Sequence, residues 1–326
     1  MEAIDNKISL KIEGFLDKDI KELVKLINKI KEKLKIKPDK IKENVLGQYT
    51  SKKNLKYLIQ MKSENQKNNN DYPNLRLTNA AQMNDPLEGK ELLNLILPQD
   101  KKFNYSENED YILSNNYISS ATSNCDSLPM WKQYGEDGEG VCLVYNTEKY
   151  LKPLLDEKSR PTNINLYRMA YIGTTLDEGI EYASLNGEEN EKIDICSYIK
   201  EIKEIVYRLK NKTKNIERNY FLLRTVLNYL KTISILFKNK NYKYENEFRF
   251  LWQAKDEKDR EQIFCQIVNE DIYKLYVPTV DSNYNKIPLS YAKVILGPKV
   301  LSDYVAPYIK CSNPKIEVKK SSISYR

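Results

Sequence analysis

The stretch that decides the fold is YKYENEFRFLW, residues 242–252. Its side chains alternate with the period of a β-strand, so that Glu245, Glu247 and Arg249 fall on one face and aromatic residues on the other. The tract before it, residues 191–239, carries apolar residues at every third or fourth position and predicts helices. Further strand-like segments lie on both sides of this helical tract. The sequence therefore predicts an α+β fold with a mixed or antiparallel sheet and flanking helices, rather than a doubly wound parallel sheet.

The basic charge of the chain is concentrated in the helical tract. The chain has 326 residues, a hydrophobic content of 40% and a net charge of +7, so it can bury a substantial core. Residues 199–243 contain twelve Lys and Arg against three Glu, and the rest of the chain sums to about −2. We expect a basic two-helix insertion over about 191–240.

Residue types that are scarce limit the chemistry. Histidine is absent, which removes the usual general base and the commonest transition-metal ligand. The five cysteines form no C-x-x-C pair, so we expect free thiols that lie mostly in the core and no metal site. No apolar run of about 18 residues and no signal-peptide pattern occurs, which favours a cytoplasmic protein without a membrane partner.

The first 46 residues differ in pattern from residues 47–326. Residues 8–14, ISLKIEG, alternate like a short strand, and Asp17 is placed to cap an amphipathic helix that ends before Pro38. We interpret residues 1–46 as a β-α appendage with a Lys-rich outer face, available to a protein partner. Residues 47–326 then form the main α+β domain.

The segment NDPLEGK, residues 84–90, predicts the start of a helix at Pro86. Asn84 and Asp85 suit the N-cap, and Glu88 suits the positive end of the helix. The same residues also suit a binding site in which Asp85 and Glu88 line a cleft. The sequence leaves both interpretations open.

Trp131 and Tyr134 lie three residues apart on a predicted short helix, SLPMWKQYG, and should share a face. They cover either the core or a ligand. The next loop along the chain, GEDGEG at residues 135–140, is rich in glycine, but its acidic side chains would repel phosphate and no Lys-Ser or Lys-Thr comes after it. It is a turn, not a phosphate-binding loop.

The charged face of residues 242–252 has two interpretations. It is either the neutralised outer face of an edge strand or a pair of carboxylates turned into a cleft. Paired carboxylates can stabilise the positive charge that develops at an anomeric carbon when an N- or O-glycosidic bond breaks. Glu245 and Glu247 are therefore candidate catalytic residues.

Four motifs in order resemble signatures of the bacterial domain-of-unknown-function family 2971: NDPLEGK, DSLPMWKQYGEDGEGVCLVY, LFKNKNYKYENEFRFLW and KVILGPKV. The resemblance spans residues 47–309. It implies family membership but no agreed activity.

A second resemblance is to NAD-dependent ADP-ribosyltransferases, which use an Arg, a Ser-Thr-Ser strand and a Glu-x-Glu motif in this order. The corresponding residues here are Arg76, Ser120, Thr122, Ser123, Glu245 and Glu247. The resemblance implies that Arg76 grips the pyrophosphate of NAD, Ser120 positions the ribose, Glu247 stabilises the ribosyl cation and Glu245 meets the acceptor. The segment YISSATS is less compact than Ser-Thr-Ser, and the helical tract lengthens the usual spacing.

The sequence supports two hypotheses of function. The first is an intracellular effector, in phage defence or a toxin-like role, that acts on a nucleotide or nucleic acid through Glu245 and Glu247, with NAD as substrate if the transferase resemblance holds. The second is a non-catalytic module that binds RNA or DNA through its basic helices. The residues expected to contact nucleic acid are Lys210, Lys212, Lys214 and Arg218. An enzyme requires Arg76, Ser120 and Glu247 to meet around one cleft, whereas a binding module requires only a continuous positive surface.

Overall fold

The computed structural model describes residues 18–59, 73–83, 89–97, 115–156, 164–185, 193–211, 216–254, 257–269, 272–281, 283 and 285–325. Helices and a mixed sheet alternate along these residues, which confirms the α+β class. The helices are α1 Lys18–Leu34, α2 Leu55–Leu58, α3 Glu91–Ile96, α4 Leu128–Tyr134, α5 Lys152–Leu155, α6 Cys196–Asn211, α7 Ile216–Ser234, α8 Glu257–Arg260 and α9 Ser302–Ser312. The strands are β1 Lys35–Ile36, β2 Gly47–Thr50, β3 Arg76–Asn79, β4 Asn116–Thr122, β5 Val141–Tyr145, β6 Asn165–Arg168, β7 Ala170–Ile172, β8 Ile180–Tyr182, β9 Phe237–Asn239, β10 Glu247–Gln253, β11 Phe264–Asn269, β12 Ile272–Pro278, β13 Tyr291–Leu296 and β14 Glu317–Lys320.

The main sheet of the described residues has eleven strands, with the order β1-β6-β10-β4-β2-β5-β13-β14 and a branch from β4 through β3 and β12 to β11. All pairs are antiparallel except β13 with β14. Strands β7, β8 and β9 form a second, three-stranded sheet. The predicted mixed sheet is confirmed.

Strand β10 lies in the middle of the main sheet, between β4 and β6. The interpretation of residues 242–252 as an edge strand is therefore wrong. Phe248, Phe250 and Trp252 point into one hydrophobic core, as the alternation predicts. The opposite face of the sheet, which carries Leu251, is covered by α1, α6 and α7. Both faces are thus covered, and the charged residues of β10 point into the protein instead of into solvent.

The strand predicted over residues 242–252 begins later than expected. Residues Lys240–Glu245 form a 3-10 turn, and Asn246 adopts a left-handed conformation with φ 42° before β10 starts at Glu247. Asparagine is one of the few residues that tolerates this conformation. Glu245 therefore precedes the strand instead of lying on it.

The segment NLYRMAYIG also differs from a single regular strand. It divides at Met169 into β6 and β7, which belong to different sheets.

The predicted helical insertion consists of α6 and α7. Its periodic residues are buried, as expected: Ile195, Ile199, Ile202, Val206, Leu209, Val226, Leu230 and Ile233. Helix α1 shares their hydrophobic cluster, and β1 joins the main sheet through β6. Residues 18–36 thus contribute to the same core as the main domain, and a domain boundary near residue 46 stays a prediction. The expected strand over 8–14 and the cap at Asp17 lie outside the described residues. Within the described part of the chain, no helix is long and apolar enough to span a bilayer.

Candidate functional site: a charged cavity on the sheet

A cavity of about 330 Å³ opens on the sheet face that carries Glu247 and Arg249. The register pairs Glu247 with Thr122 and Arg249 with Ser120, so these side chains project from the same face of β10 and β4. The volume lies at the lower end of the range found for small-molecule sites. The polar side chains that line the cavity are Gln48, Arg76, Thr78, Ser119, Ser120, Thr122, Tyr134, Lys238, Glu245, Glu247 and Arg249.

Glu247 is the centre of a buried ion network. Its Oε1 accepts hydrogen bonds from Ser120 Oγ at 2.5 Å and from Arg249 Nε at 2.7 Å. Its Oε2 accepts from Arg249 Nη2 at 3.1 Å and lies 3.4 Å from Lys238 Nζ. Burial alone would raise the pKa of Glu247, but the charges of Arg249 and Lys238 and these hydrogen bonds outweigh it and lower the pKa to about 2. Glu247 is therefore a permanent carboxylate and not a proton donor or acceptor at neutral pH.

Arg249 is almost completely buried, with 2% of its surface exposed. Besides binding Glu247, its Nη1 donates to the carbonyl oxygen of Ile235 at 2.5 Å. Ile235 directly follows α7, so Arg249 ties the end of the helical insertion to the floor of the cavity. Its five donors are fixed in one plane, which suits this simultaneous contact with a carboxylate and a carbonyl.

Glu245 reaches the cavity from the 3-10 turn before β10. Its Oε1 accepts a hydrogen bond from the Tyr134 hydroxyl at 2.8 Å, and its Oε2 pairs with Lys238 Nζ. Burial and the charge of Glu245 raise the pKa of Tyr134. The phenol therefore keeps its proton and donates a hydrogen bond to Glu245. The two carboxylates are thus joined through Lys238, whose pKa is raised because the attraction of Glu247 and Glu245 exceeds the opposing effect of burial.

Lys238 is the charged residue of the cavity that the sequence patterns do not single out. Its position in the basic tract suggests a surface lysine, yet it is buried and pairs with both carboxylates of the cavity. Two carboxylates and two cations make this cluster neutral as a whole. One feature of the sequence could have indicated that Lys238 is buried. It lies in a short apolar segment, ILFKN, where a surface lysine is unexpected.

Arg76 reaches the cavity from its rim. It lies on β3, which pairs with β4, and it lines the same cavity as Ser120 and Glu247. Its guanidinium stacks over the ring of Tyr276 at 4.6 Å, and its Nη1 donates to Gln266 Oε1 at 2.9 Å. The residue is exposed at the rim. Three residues from different strands therefore meet around one cavity.

Several other candidate residues from the sequence do not line the cavity or have a structural contact there. Trp131 is fully buried in a small core cluster, where its Nε1 donates to Asp126 Oδ1 at 2.8 Å, so Trp131 packs and only Tyr134 of the pair reaches the cavity. Thr122 Oγ1 donates to the carbonyl oxygen of Glu245 at 2.5 Å and holds the turn that carries it. Ser123 Oγ donates to the carbonyl oxygen of Ser184 at 2.9 Å, away from the lining of the cavity. The candidates on the predicted helix start, Asn84, Asp85 and Glu88, lie outside the described residues.

The basic tract, residues 199–243, is partly neutralised. Arg208 pairs with Asp19 of α1 at 3.0 Å, and Lys240 and Lys243 pair with Glu181. The remaining exposed charge includes Lys200 and Lys203 on α6. Of the residues predicted to bind nucleic acid, Lys210 is half-buried at the end of α6, and Lys212, Lys214 and the side chain of Arg218 lie outside the described part.

The five cysteines are free thiols, as predicted, but the expectation that they lie mostly in the core is wrong. Of these, only Cys142 is buried, while Cys265 and Cys311 are exposed. The sulfurs of Cys125 and Cys142 approach each other around Gly47, whose missing side chain leaves them room. Among the described residues, no group of three or more Cys, Asp or Glu side chains is placed to hold a metal ion.

Comparison with known proteins gives a family and no activity. Residues 130–250 match the model of a family described as a protein of unknown function (DUF2971). This segment contains most of the motif beginning at Asp126 and the first four residues of β10, Glu247 to Phe250. The motifs NDPLEGK and KVILGPKV lie outside it. The assignment made from the motifs is confirmed over residues 130–250, which are part of the longer span 47–309 that the motifs cover. No curated protein and no solved structure matches the chain.

Proposed function

We propose that this protein, whose residues 130–250 match the DUF2971 family model, is an effector-type enzyme that binds NAD and breaks its nicotinamide N-glycosidic bond. The observation that carries the proposal is the common cavity of Arg76, Ser120 and Glu247. These residues come from separate strands and from distant parts of the chain. Their order corresponds to the Arg, Ser-Thr-Ser and Glu-x-Glu elements of the ADP-ribosyltransferases that the sequence resembles.

NAD is bound by the charge of Arg76 at the rim of the cavity and by the hydroxyl group of Ser120 on its floor. Arg76 is an exposed cation that can bind the pyrophosphate through charge-assisted hydrogen bonds. The proton of the Ser120 hydroxyl is committed to Glu247 Oε1. The remaining lone pairs of Ser120 can therefore accept a hydrogen bond from a ribose hydroxyl. Glu247 thereby orients Ser120 as an acceptor.

The reaction breaks the bond between C1′ of the ribose and the nicotinamide nitrogen. The bonding electron pair goes to the nitrogen, which becomes neutral, and positive charge develops at C1′. Water or an acceptor group then adds to C1′ and releases a proton. The carboxylate of Glu247 keeps the wall beside C1′ neutral, because without it Lys238 and Arg249 would leave a net positive charge facing the cation.

Glu245 fits the acceptor side of the reaction. Its partners Tyr134 and Lys238 occupy one position on each carboxylate oxygen, so lone pairs remain for an incoming hydroxyl. Glu247, in contrast, has its four positions occupied by Ser120, Arg249 and Lys238. The two carboxylates therefore differ in role: Glu247 supplies a fixed charge and Glu245 contacts the acceptor.

The test is NAD binding by calorimetry together with nicotinamide release by chromatography. Because Arg76 is exposed, Arg76→Ala should keep the fold and weaken NAD binding about tenfold or more, the loss expected for a hydrogen bond to a charged group. The matched control is Lys293→Ala, which removes a basic side chain from β13 of the same sheet, where it faces Glu317. Wild-type protein that neither binds NAD nor releases nicotinamide would refute the proposal.

A second candidate, nucleic-acid binding, is favoured by one observation on α6. One face of α6 carries residues at successive spacings of three and four, Lys200, Lys203, Tyr207 and Lys210, and Tyr207 is 70% exposed. An exposed aromatic ring among lysines suits a stacked base beside a phosphate backbone. Binding of single-stranded RNA that weakens steeply with salt, and that is lost when Lys203 and Tyr207 are replaced by alanine, would support this function.

A further inference from the structure

The sheet face that carries the cavity continues beyond Arg76 onto the hairpin of β11 and β12. Directly paired residues of neighbouring antiparallel strands project from the same face of a sheet. The register pairs Ile118 with Thr78, Thr78 with Tyr276, and Tyr276 with Phe264. Ile118 and Thr78 line the cavity. Tyr276 and Phe264 therefore extend one lateral row from the cavity to the outer strand.

This row ends in stacked aromatic rings. Phe264 and Tyr276 stack with their centroids 5.9 Å apart and their planes inclined by 27°. The guanidinium of Arg76 lies over the Tyr276 ring at 4.6 Å and is held there by Gln266. Phe264 is 50% exposed, so an aromatic face at the end of the row is open to solvent.

The spacing of the row fits one molecule that spans it. Neighbouring strands lie about 4.8 Å apart, so the β12 ring is about 10 Å from the strand of Ser120 and the β11 ring about 14 Å from it. Arg76 comes from the intervening strand β3, and its guanidinium lies over the β12 ring, beside Phe264 and on the side of Phe264 that is nearer to Ser120. An aromatic platform, a cation and a hydroxyl with a carboxylate thus lie in a line. A dinucleotide presents a base, a pyrophosphate and a ribose in that order.

We propose that Phe264, supported by Tyr276, is the binding platform for the adenine base of the NAD molecule whose nicotinamide ribose lies at Ser120 and Glu247. This inference rests on the proposed function and adds to it the orientation of the ligand and a base subsite. An aromatic ring can stack on any nucleobase, because every base has a π-face, and this contact needs no buried polar group. The subsite therefore accepts other purine bases joined to the same pyrophosphate.

The opposite face of the hairpin also exposes apolar side chains, and these lie outside the proposed subsite. Cys265, Ile267 and Tyr273 project away from the row, because they alternate with Phe264 and Tyr276 along the two strands. Ile267 is 66% exposed, on the same strand as Phe264 but on the other face. It provides a matched control for the loss of exposed apolar surface.

The experiment measures dissociation constants for two probes, NAD and nicotinamide mononucleotide, which lacks the adenosine phosphate half. We expect Phe264→Ala to weaken NAD binding about tenfold and to leave the affinity for nicotinamide mononucleotide unchanged, whereas Phe264→Trp should restore NAD binding. Ile267→Ala should change neither affinity. Thermal melts of all three variants show whether the hairpin stays folded.

The outcomes separate the two proposals. If wild-type protein binds both probes and Phe264→Ala binds NAD as tightly as the wild type does, the base subsite is wrong and the proposed function stands. An equal loss for NAD and nicotinamide mononucleotide in Phe264→Ala would also overturn the subsite, since it would show a general disturbance of the cavity. If the wild type binds neither probe, the proposed function fails and the subsite fails with it.

Discussion

Replacing Glu247 by glutamine tests the charged cavity most directly. The substitution keeps the shape of the side chain but leaves Arg249 and Lys238 buried with one carboxylate fewer. Removing one partner of a buried ion pair costs about 3 to 5 kcal/mol. The lowered pKa of Glu247, about 2 against the ordinary value of 4.5, has the same sign and is of the same order, roughly 3 kcal/mol. The two agree, so Glu247→Gln should lower the free energy of unfolding by about 3 kcal/mol at pH 7.

The sign of the pH dependence is set by the lowered pKa. A carboxylate whose pKa is lower in the folded state stabilises the protein above its unfolded value, and this contribution disappears as the pH falls through the folded value. The difference between wild type and Glu247→Gln should therefore be full above about pH 5 and shrink as the pH approaches 2. Urea unfolding at a series of pH values measures it.

A matched control and a refuting result complete this test. Glu317→Gln removes an exposed carboxylate that also pairs with two lysines, Lys293 and Lys319, and it should leave the unfolding free energy nearly unchanged because exposed pairs contribute little. A loss of stability in Glu247→Gln that is the same at pH 3 and pH 7 would show that the carboxylate is not held by its charge. The electrostatic account of the cavity would then be wrong.

Two further predictions concern the packing around the site. Phe248→Ala should destabilise the protein by about 3 to 5 kcal/mol in urea unfolding, because the ring is fully buried on the uncharged face of β10; a loss below about 1 kcal/mol would contradict that placement. Gly47→Ala should cost about 1 to 3 kcal/mol, since its new methyl group would lie 2.8 Å from the sulfur of Cys125 and 3.0 Å from that of Cys142. The double variant Gly47→Ala, Cys125→Ala should recover part of this loss, and additive costs would refute the clash.

The sequence predicts the elements of the fold better than the environment of the charges. Periodic apolar residues identify α6, α7 and the strands, because burial on one face imposes the period. The pairing of β10 is not visible in this pattern, since its neighbours β4 and β6 lie about 130 and 80 residues away along the chain. Charged residues on one face of a strand are usually solvated, so the alternation of Glu247 and Arg249 favours an edge strand. The neutralising contact of Lys238 comes from a separate strand and cannot be read from spacing.

The convergence of Arg76, Ser120 and Glu247 is predicted only through the resemblance to ADP-ribosyltransferases. Nothing in the spacing of three residues across 171 positions of the chain brings them together. The register of β10, β4 and β3 does so, because each strand contributes one side chain to the same face. The left-handed Asn246 is equally hidden, since asparagine occurs in many strands and turns without this conformation.

Stability alone does not account for the charges of the cavity. Burying a carboxylate and a guanidinium costs several kcal/mol per ion before their attraction is gained, and well-packed apolar residues of similar size often stabilise a protein as much or more. Leucine and methionine at positions 247 and 249 would cover the helical insertion without that cost. Yet the network is complete: Ser120, Arg249 and Lys238 all bind Glu247, and the cluster faces an open cavity instead of closing it. Sites that break the local rules of packing while keeping every polar group paired are those expected to bind a ligand. Under the proposed function, the charge arrangement serves the bound ligand instead of the stability of the fold, and the sheet is the rigid frame that holds the charged side chains in place.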